Sequence, residues 1–326
     1  MRTNLVKRLA LVVVASQVAC LAEPLAPGPE ALLARAYIAQ VVDLMEAGSI
    51  DRDTIDWVAF RARVTAEGAP ARRISDTYLA IQTALTLLGD KHSYFRTPGG
   101  NFFVGRDPLV CKALLPARLE GIPADIGYVR VTAYGGSSAA SASYTSSIQS
   151  MMMIADTAAV VGWIVDLRGN GGGNLWPMLV SLWPFLQGTA GHFVDPDDLW
   201  TRWEVVREEA RLNGEAMATV ANGYAPRGID GRVAVLTDGR VASSGEGLVV
   251  AFHGRPNTRT FGTTTCGQST AITLIPLSDG ATLGLTTATM ADRDSVRFGG
   301  PLIPDETITG VDALTTRAIE WIRTGN

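Results

Sequence analysis

Asp166-Leu167-Arg168-Gly169-Asn170-Gly171-Gly172-Gly173 closes the apolar run Val160–Leu167 and precedes a second apolar stretch from about Leu175 to Leu186. The first run reads as a buried strand and the second as a helix, so the glycines occupy a strand-to-helix turn. Consecutive glycines there let the backbone present several N–H groups at a helix N-terminus, which suits an anion. That anion can be a phosphate or the oxyanion of an acyl-transfer intermediate. The phosphate patterns fail. No Lys-Ser/Thr pair follows the glycines, and dinucleotide spacing would require Gly where Asn174 stands. Taken alone, the motif is weak, since a tight structural turn would also account for it.

Outward from this turn the chain alternates between strands and helices. Ile126–Ala133 reads as a strand, 137–156 as a small-residue helix, Arg232–Leu236 as a strand and Ser243–His253 as a helix. Thr270–Leu277 and Ala281–Thr287 flank Ser278-Asp279-Gly280 as a hairpin, and a last helix covers about 311–323. Upstream, Leu33, Tyr37, Val41 and Leu44 recur at helical spacing before Gly48. Ile55, Val58 and Ala62 suggest a second helix. Ser75 is the expected N-cap of a third, which carries Tyr78, Ile81, Leu85 and Leu88 and stops at Gly89. The expectation is a small helical bundle over residues 30–90 followed by a mixed α/β layered domain.

Composition agrees with a packed protein. Of 326 residues 47% are hydrophobic and 18% charged, which excludes a disordered chain, a collagen-like fibre and a disulfide mini-protein. With 28 basic and 32 acidic residues the net charge is −4 and no Lys/Arg block occurs, so nucleic acid is not an expected partner. Only three of the basic residues are lysines, Lys7, Lys91 and Lys112.

Val241-Ala242-Ser243-Ser244-Gly245-Glu246 begins a helix just after the strand that ends at Leu236. A serine there is either an N-cap or a nucleophile helped by the helix dipole and neighbouring amides; the Gly-x-Ser-x-Gly elbow of α/β-hydrolases is absent. A nucleophilic serine needs a base. His253 sits near the end of the Ser243 helix and would point a few turns away, and His192 is read as a loop residue without notable companions. His92 follows a helix C-terminus in Leu88-Gly89-Asp90-Lys91-His92-Ser93-Tyr94-Phe95.

These segments occur in a fixed order with Ile126-Gly127-Tyr128-Val129-Arg130-Val131, Phe261-Gly262-Thr263-Thr264-Thr265-Cys266-Gly267 and Ile303-Pro304-Asp305. Together they resemble the tail-specific, or C-terminal-processing, serine peptidases over about residues 75–312. The resemblance implies a crotonase-like (ClpP-like) core of β-β-α units with an N-terminal helical bundle, and hydrolysis of peptide bonds near substrate C-termini. It places the nucleophile at Ser243 and the oxyanion donors at the backbone of Gly171 or Gly172 and of Ser244. The lysine base of the bacterial and chloroplast branch would fall on Gln268, so that dyad is missing. The branch containing the tricorn core and the retinoid-binding repeats fits better, and there the base matches His92. Glu246 and Asp292 are the candidates for orienting the imidazole, and Lys91 stands where tricorn-like enzymes carry Ser. The 30 residues from Arg96 to Asp125 are too few for the PDZ domain many relatives insert, since a folded domain needs at least about 50.

At the N-terminus, Arg2, Lys7 and Arg8 precede the apolar run Leu9–Ser16 and small residues up to Ala22, the layout of a secretory signal. Cleavage after Ala22, or lipid attachment at Cys20 as a membrane tether, would both follow export to a periplasmic, lipid-anchored or extracellular position. The expected organisation is a signal over 1–22, a helical domain over 23–98 and a catalytic domain over 99–326. Cys111 and Cys266 then remain, as one disulfide or as two buried thiols. No metal or organic cofactor is expected, because neither His-Glu-x-x-His nor Cys-x-x-Cys occurs. The expected partner is a peptide or protein substrate. Two rivals stand beside the peptidase: a retired enzyme that binds a ligand or peptide on the same fold, and a crotonase-type acyl-CoA enzyme.

Overall fold

The computed structural model describes residues 28–111 and 115–326; the expected signal, Cys20 and Lys112 lie outside the described residues. The chain opens with α1 (Pro29–Gly48), α2 (Trp57–Gly68) and α3 (Tyr78–Leu88). Pro29 starts α1 without wasting an amide, and the Asp56 carboxylate caps α2 by accepting the Val58 and Ala59 N–H groups. The buried face of α1 is Ala34, Tyr37, Ile38, Val41, Val42 and Met45, so Leu33 is exposed rather than in the core. Ser75 is not the cap of α3. It lies inside a 3-10 turn, Ile74–Thr77, that forms because the Asp76 carboxylate accepts the Arg72 and Arg73 N–H groups. Gly89 (φ 75°) ends α3 in the left-handed conformation that a helix stop favours.

Two sheets follow. One is parallel, in the order β13-β10-β9-β4-β3, and holds β3 (Ile126–Arg130), β4 (Gly162–Asp166), β9 (Arg232–Thr237), β10 (Thr258–Gly262) and β13 (Glu306–Thr307). The helices α4 (Ala142–Ala155), α5 (Leu175–Ser181), α6 (Ser244–Phe252) and α7 (Val311–Thr324) accompany it.

The other sheet is antiparallel, with eight strands. Its main order is β2-β1-β12-β5-β6-β7-β8, and among the described strands β11 is joined only to β12. It contains β1 (Tyr94–Arg96), β2 (Phe102–Val104), β5 (Gly188–Val194), β6 (Trp200–Val206), β7 (Glu209–Leu212), β8 (Glu215–Thr219), β11 (Thr270–Pro276) and β12 (Thr282–Ala291). β11 and β12 are the expected hairpin. β5 to β8 are not among the strands the sequence pattern predicts, and His192 lies in β5 rather than in the expected loop.

Three apolar cores hold these layers together. The largest unites Val129, Trp163, Val165, Val233 and Val235 of the parallel sheet with α4, α5 and α6 and with Trp203 and Val205 of the antiparallel sheet. On the opposite face of the parallel sheet, Tyr128, Ile164, Ala234 and Leu236 pack against Leu314, Ala318, Trp321 and Ile322 of α7. The helical bundle packs on Phe95 of β1 and on Leu283 and Leu285 of β12. The bundle is thereby fixed to the strand pair that borders the cleft described next.

Candidate active site

The carboxyl ends of the parallel strands converge on one place, as expected for ligand sites in open α/β sheets. β4 ends in the glycine turn, β9 leads through Asp238–Ala242 to Ser243, and β10 leads to Thr265–Gln268. The turns are tied to one another. Asn170 accepts the Ala242 N–H on its carbonyl (3.1 Å) and the Gly172 N–H on Oδ1 (3.0 Å), and its Nδ2 donates to the Val131 carbonyl (3.1 Å). The Gly169 N–H reaches Asp238 Oδ1 at 3.0 Å. Gly172 has φ 92°, and a Cβ there would stand 2.7 Å from the Ala242 carbonyl and 2.9 Å from Ser243 Cβ. Only glycine allows the turn to lie this close to the Ser243 backbone.

Ser243 occupies the N-cap of α6 with φ 52° and ψ −123°, a conformation that costs on the order of 1–3 kcal/mol in a non-glycine residue. Glu246 holds it there, accepting the Ser243 N–H at 3.1 Å. The same carboxylate accepts Gly267 N–H (2.8 Å), Gln268 N–H (2.6 Å) and the Thr265 hydroxyl. Burial pushes its carboxyl pKa up, and these four donors work against that rise. Glu246 therefore fastens the 265–268 loop to the N-terminus of α6 and makes no hydrogen bond to His92.

His92 arrives from the helical bundle. The Asp90 carboxylate accepts the His92 and Ser93 N–H groups (2.8 and 2.6 Å) and the Ser93 hydroxyl (2.6 Å), while Ser93 Oγ accepts the Thr286 N–H of β12 (2.9 Å). The loop is thus pinned to both the bundle and the sheet. His92 Nδ1 lies 2.7 Å from Thr270 Oγ1, the first residue of β11. Thr270, which the sequence reading missed, takes the place expected for Glu246 or Asp292. Asp292 is fully buried and serves other partners: it is hydrogen-bonded to His253 Nδ1 and accepts the Asp294 and Val296 N–H groups, while its carbonyl stands 3.1 Å from His192 Nδ1.

The Lys91 ammonium is held by Asp107, and Gln268 Nε2 donates to the Lys91 carbonyl at 3.1 Å, bracing the His92 loop against the loop after β10. Cys111 and Cys266 form a disulfide, which ties the segment after β2 to that same loop.

Burial pushes the His92 pKa down from 6.5 to about 4, with the Asp90 carboxylate pulling the other way. The imidazole is then neutral, with a free lone pair, through the neutral range. A reaction that needs neutral His92 should lose activity as pH falls only near 4, rather than near 6.5. A pH profile of kcat/KM with its acid limb at 6 or above would contradict this environment for His92.

Ser243 and His92 line one cleft of about 1260 Å³, larger than the roughly 300–1,000 Å³ of small-ligand pockets. Gly171, Gly173 and Ser244 line it too, whereas the Gly172 N–H is already committed to Asn170. On the bundle side the walls include Phe102 and Val104 of β2 and Ile272 and Leu274 of β11. Among the described residues no group of His, Cys, Asp and Glu is arranged to hold a metal ion, and no helix is long and apolar enough to cross a membrane.

Comparison with known proteins agrees with this architecture. The family model described as Peptidase family S41 matches residues 125–308, more than half of the chain. A protein named nisin-resistance protein, from Lactococcus lactis subsp. lactis, is 26% identical over 289 residues, covering 88% of this chain and 86% of its own. Among solved structures, a lipoprotein from Streptococcus agalactiae superposes with a TM-score of 0.69 at 22% identity, covering 90% of this chain and 97% of its own. The photosystem II D1 C-terminal processing protease superposes with a TM-score of 0.55 at 14% identity, covering 87% and 97%. At these identities the two structures speak for a shared fold.

Proposed function

We propose, from the premise that the chain belongs to peptidase family S41, that it is an exported serine peptidase with Ser243 as nucleophile, His92 as general base and Thr270 as the residue that positions His92. The observation that carries this reading is the hydrogen bond between His92 Nδ1 and Thr270 Oγ1 at the edge of the cleft that Ser243 also lines. With the Nδ1 proton donated to the threonine hydroxyl, the lone pair of a neutral imidazole sits on Nε2, the nitrogen left to face the cleft.

The reaction then follows from the groups present. Nε2 accepts the Ser243 hydroxyl proton as Oγ attacks the peptide carbonyl, and the imidazolium returns that proton to the leaving amine. The developing oxyanion is received by the amides of Gly171 and Ser244, at the start of α6 where the helix dipole is positive. Water repeats the sequence on the acyl-enzyme.

The substrate lies as an extended chain. Among the described strands β11 is paired on one side only, and its residues Ala271–Leu274 line the cleft beside His92. A strand edge of that kind offers unpaired amides and carbonyls to a peptide backbone. Peptides and proteins cut near their C-termini are the substrates implied by the resemblance, and the Lactococcus relative's name adds peptide antibiotics to those worth assaying. Export rests on the basic and apolar leader up to Ala22, with Cys20 available for a lipid tether, and the S. agalactiae lipoprotein supports it.

Labelling with a fluorophosphonate probe tests the assignment. The mature protein is expected to label and Ser243→Ala is not. Equal labelling of both, or of neither, would leave the retired, ligand-binding alternative.

A further inference from the structure

Beside Ser243 and the glycine cluster the cleft holds a group of apolar side chains. Leu175 and Trp176 follow directly on the glycine cluster, Phe193 comes from β5, Met217 from β8 and Met290 from β12, and all five line the cleft. Their nearness to the nucleophile helix is measured at Gly247, one turn along α6 from Ser243. A Cβ at Gly247 would meet Leu175 Cδ1 at 3.2 Å and Met290 Sδ at 3.5 Å. Aromatic contacts back the wall: Trp176 meets Phe193 edge-on at 6.4 Å between centroids, and Phe193 packs on the fully buried Trp203 at 4.8 Å. Trp176, Phe193 and Met217 are nonetheless only half-buried, so apolar surface is left open to the cleft. Asp195, which also lines the cleft, is occupied in closing its own turn by accepting the Leu199 N–H at 2.9 Å.

Proton traffic fixes which half of a substrate meets this wall. His92 must protonate the leaving amine, so the leaving portion lies by His92 and β11. The acyl portion lies by the glycine cluster and Ser244, where Leu175 and Trp176 begin α5. We propose that Leu175, Trp176, Phe193, Met217 and Met290 form the pocket for the side chain of the residue whose carbonyl carbon Ser243 attacks, so that cleavage follows large apolar residues. This rests on the peptidase reading above. An apolar side chain entering the pocket sheds water against apolar surface, whereas a carboxylate or ammonium loses its hydration without gaining a partner.

Two peptides that differ only at that residue, Leu or Glu, measure the effect. The Leu peptide should be cleaved with a kcat/KM higher by about thirtyfold or more, in the upper part of what such pockets achieve. Met217→Lys should lower kcat/KM for the Leu peptide and raise it for the Glu peptide, with Ser243 still labelled by fluorophosphonate. If that variant fails to fold, Met217→Ala, which keeps β8 apolar and enlarges the pocket, should move the preference from Leu towards Trp.

A readout independent of turnover is calorimetric binding of product-like peptides ending in Leu or Glu to Ser243→Ala, where the Leu peptide should bind at least tenfold more tightly. Turnover of both peptides within threefold of each other would overturn the pocket and leave the peptidase standing. Selective binding without turnover would do the reverse. Neither binding preference nor turnover would sink both.

Discussion

His92→Gln should lower kcat for peptide hydrolysis by about 10²–10⁴-fold, the range general acid–base catalysis supplies, with a thermal unfolding midpoint close to wild type. Glutamine keeps an amide within reach of Thr270 Oγ1 but has no titratable lone pair, so geometry is largely retained while proton transfer is lost. The loss should fall on kcat more than on KM, because the base acts only as Oγ attacks. Thr270→Val should cost less, since it removes the partner of Nδ1 and leaves the imidazole free to turn, and Thr270→Ser should recover most of the activity. A merely structural threonine would show the opposite order, with valine tolerated and serine destabilising. Steady-state kinetics of the three variants decide the matter; His92→Gln with activity within tenfold of wild type would remove His92 from the mechanism.

The difference between His92 and Thr270 shows what a sequence discloses about a site like this. His92 lies in a local motif whose neighbours announce a helix stop and an Asx turn. Thr270 is 178 residues away and unremarkable among the many threonines of a β-rich chain. Nothing short of the pairing of β11 with β12 brings it to the imidazole. Glu246 misled for a related reason. Its place three residues after Ser243 fits a capping box as well as a catalytic role, and the 265–268 loop that claims its carboxylate comes into reach only through the fold. The strand–glycine–helix unit and the bundle were legible because their periodicity is local. β5 to β8 were not, since β8 reads Glu-Ala-Met-Ala-Thr, rich in helix formers and mostly exposed. One signal was available there: Asn213-Gly214, both with positive φ, is the two-residue turn of a hairpin and joins β7 to β8.

Asp166→Ala should be the most destabilising single change around the site. Asp166 ends β4 fully buried, and its carboxylate accepts Arg168 Nε and Nη2 at 2.8 Å each, the Arg168 N–H at 3.2 Å and the Tyr128 hydroxyl at 2.8 Å. Arg168 is itself only 4% exposed. Burial lowers the guanidinium pKa, and the bonds and charge of Asp166 more than offset it, so the net shift is upward. Removing one member of such a pair strands the other charge without water, at a cost of about 3–5 kcal/mol. A drop in Tm of roughly 10 °C corresponds to that loss, and it should be nearly insensitive to salt because the pair is shielded from counterions. Replacing both partners, as in Asp166→Leu with Arg168→Leu, should recover part of the stability, since no unpaired charge then remains. If the double variant were as unstable as the sum of the two singles, the pair would not be coupled, and the loss would belong to the Tyr128 bond and local packing instead. Activity is expected to fail before the fold does. The strand end that Asp166 anchors is where Gly169–Gly173 begin, so a small shift there is carried directly to the amides beside Ser243.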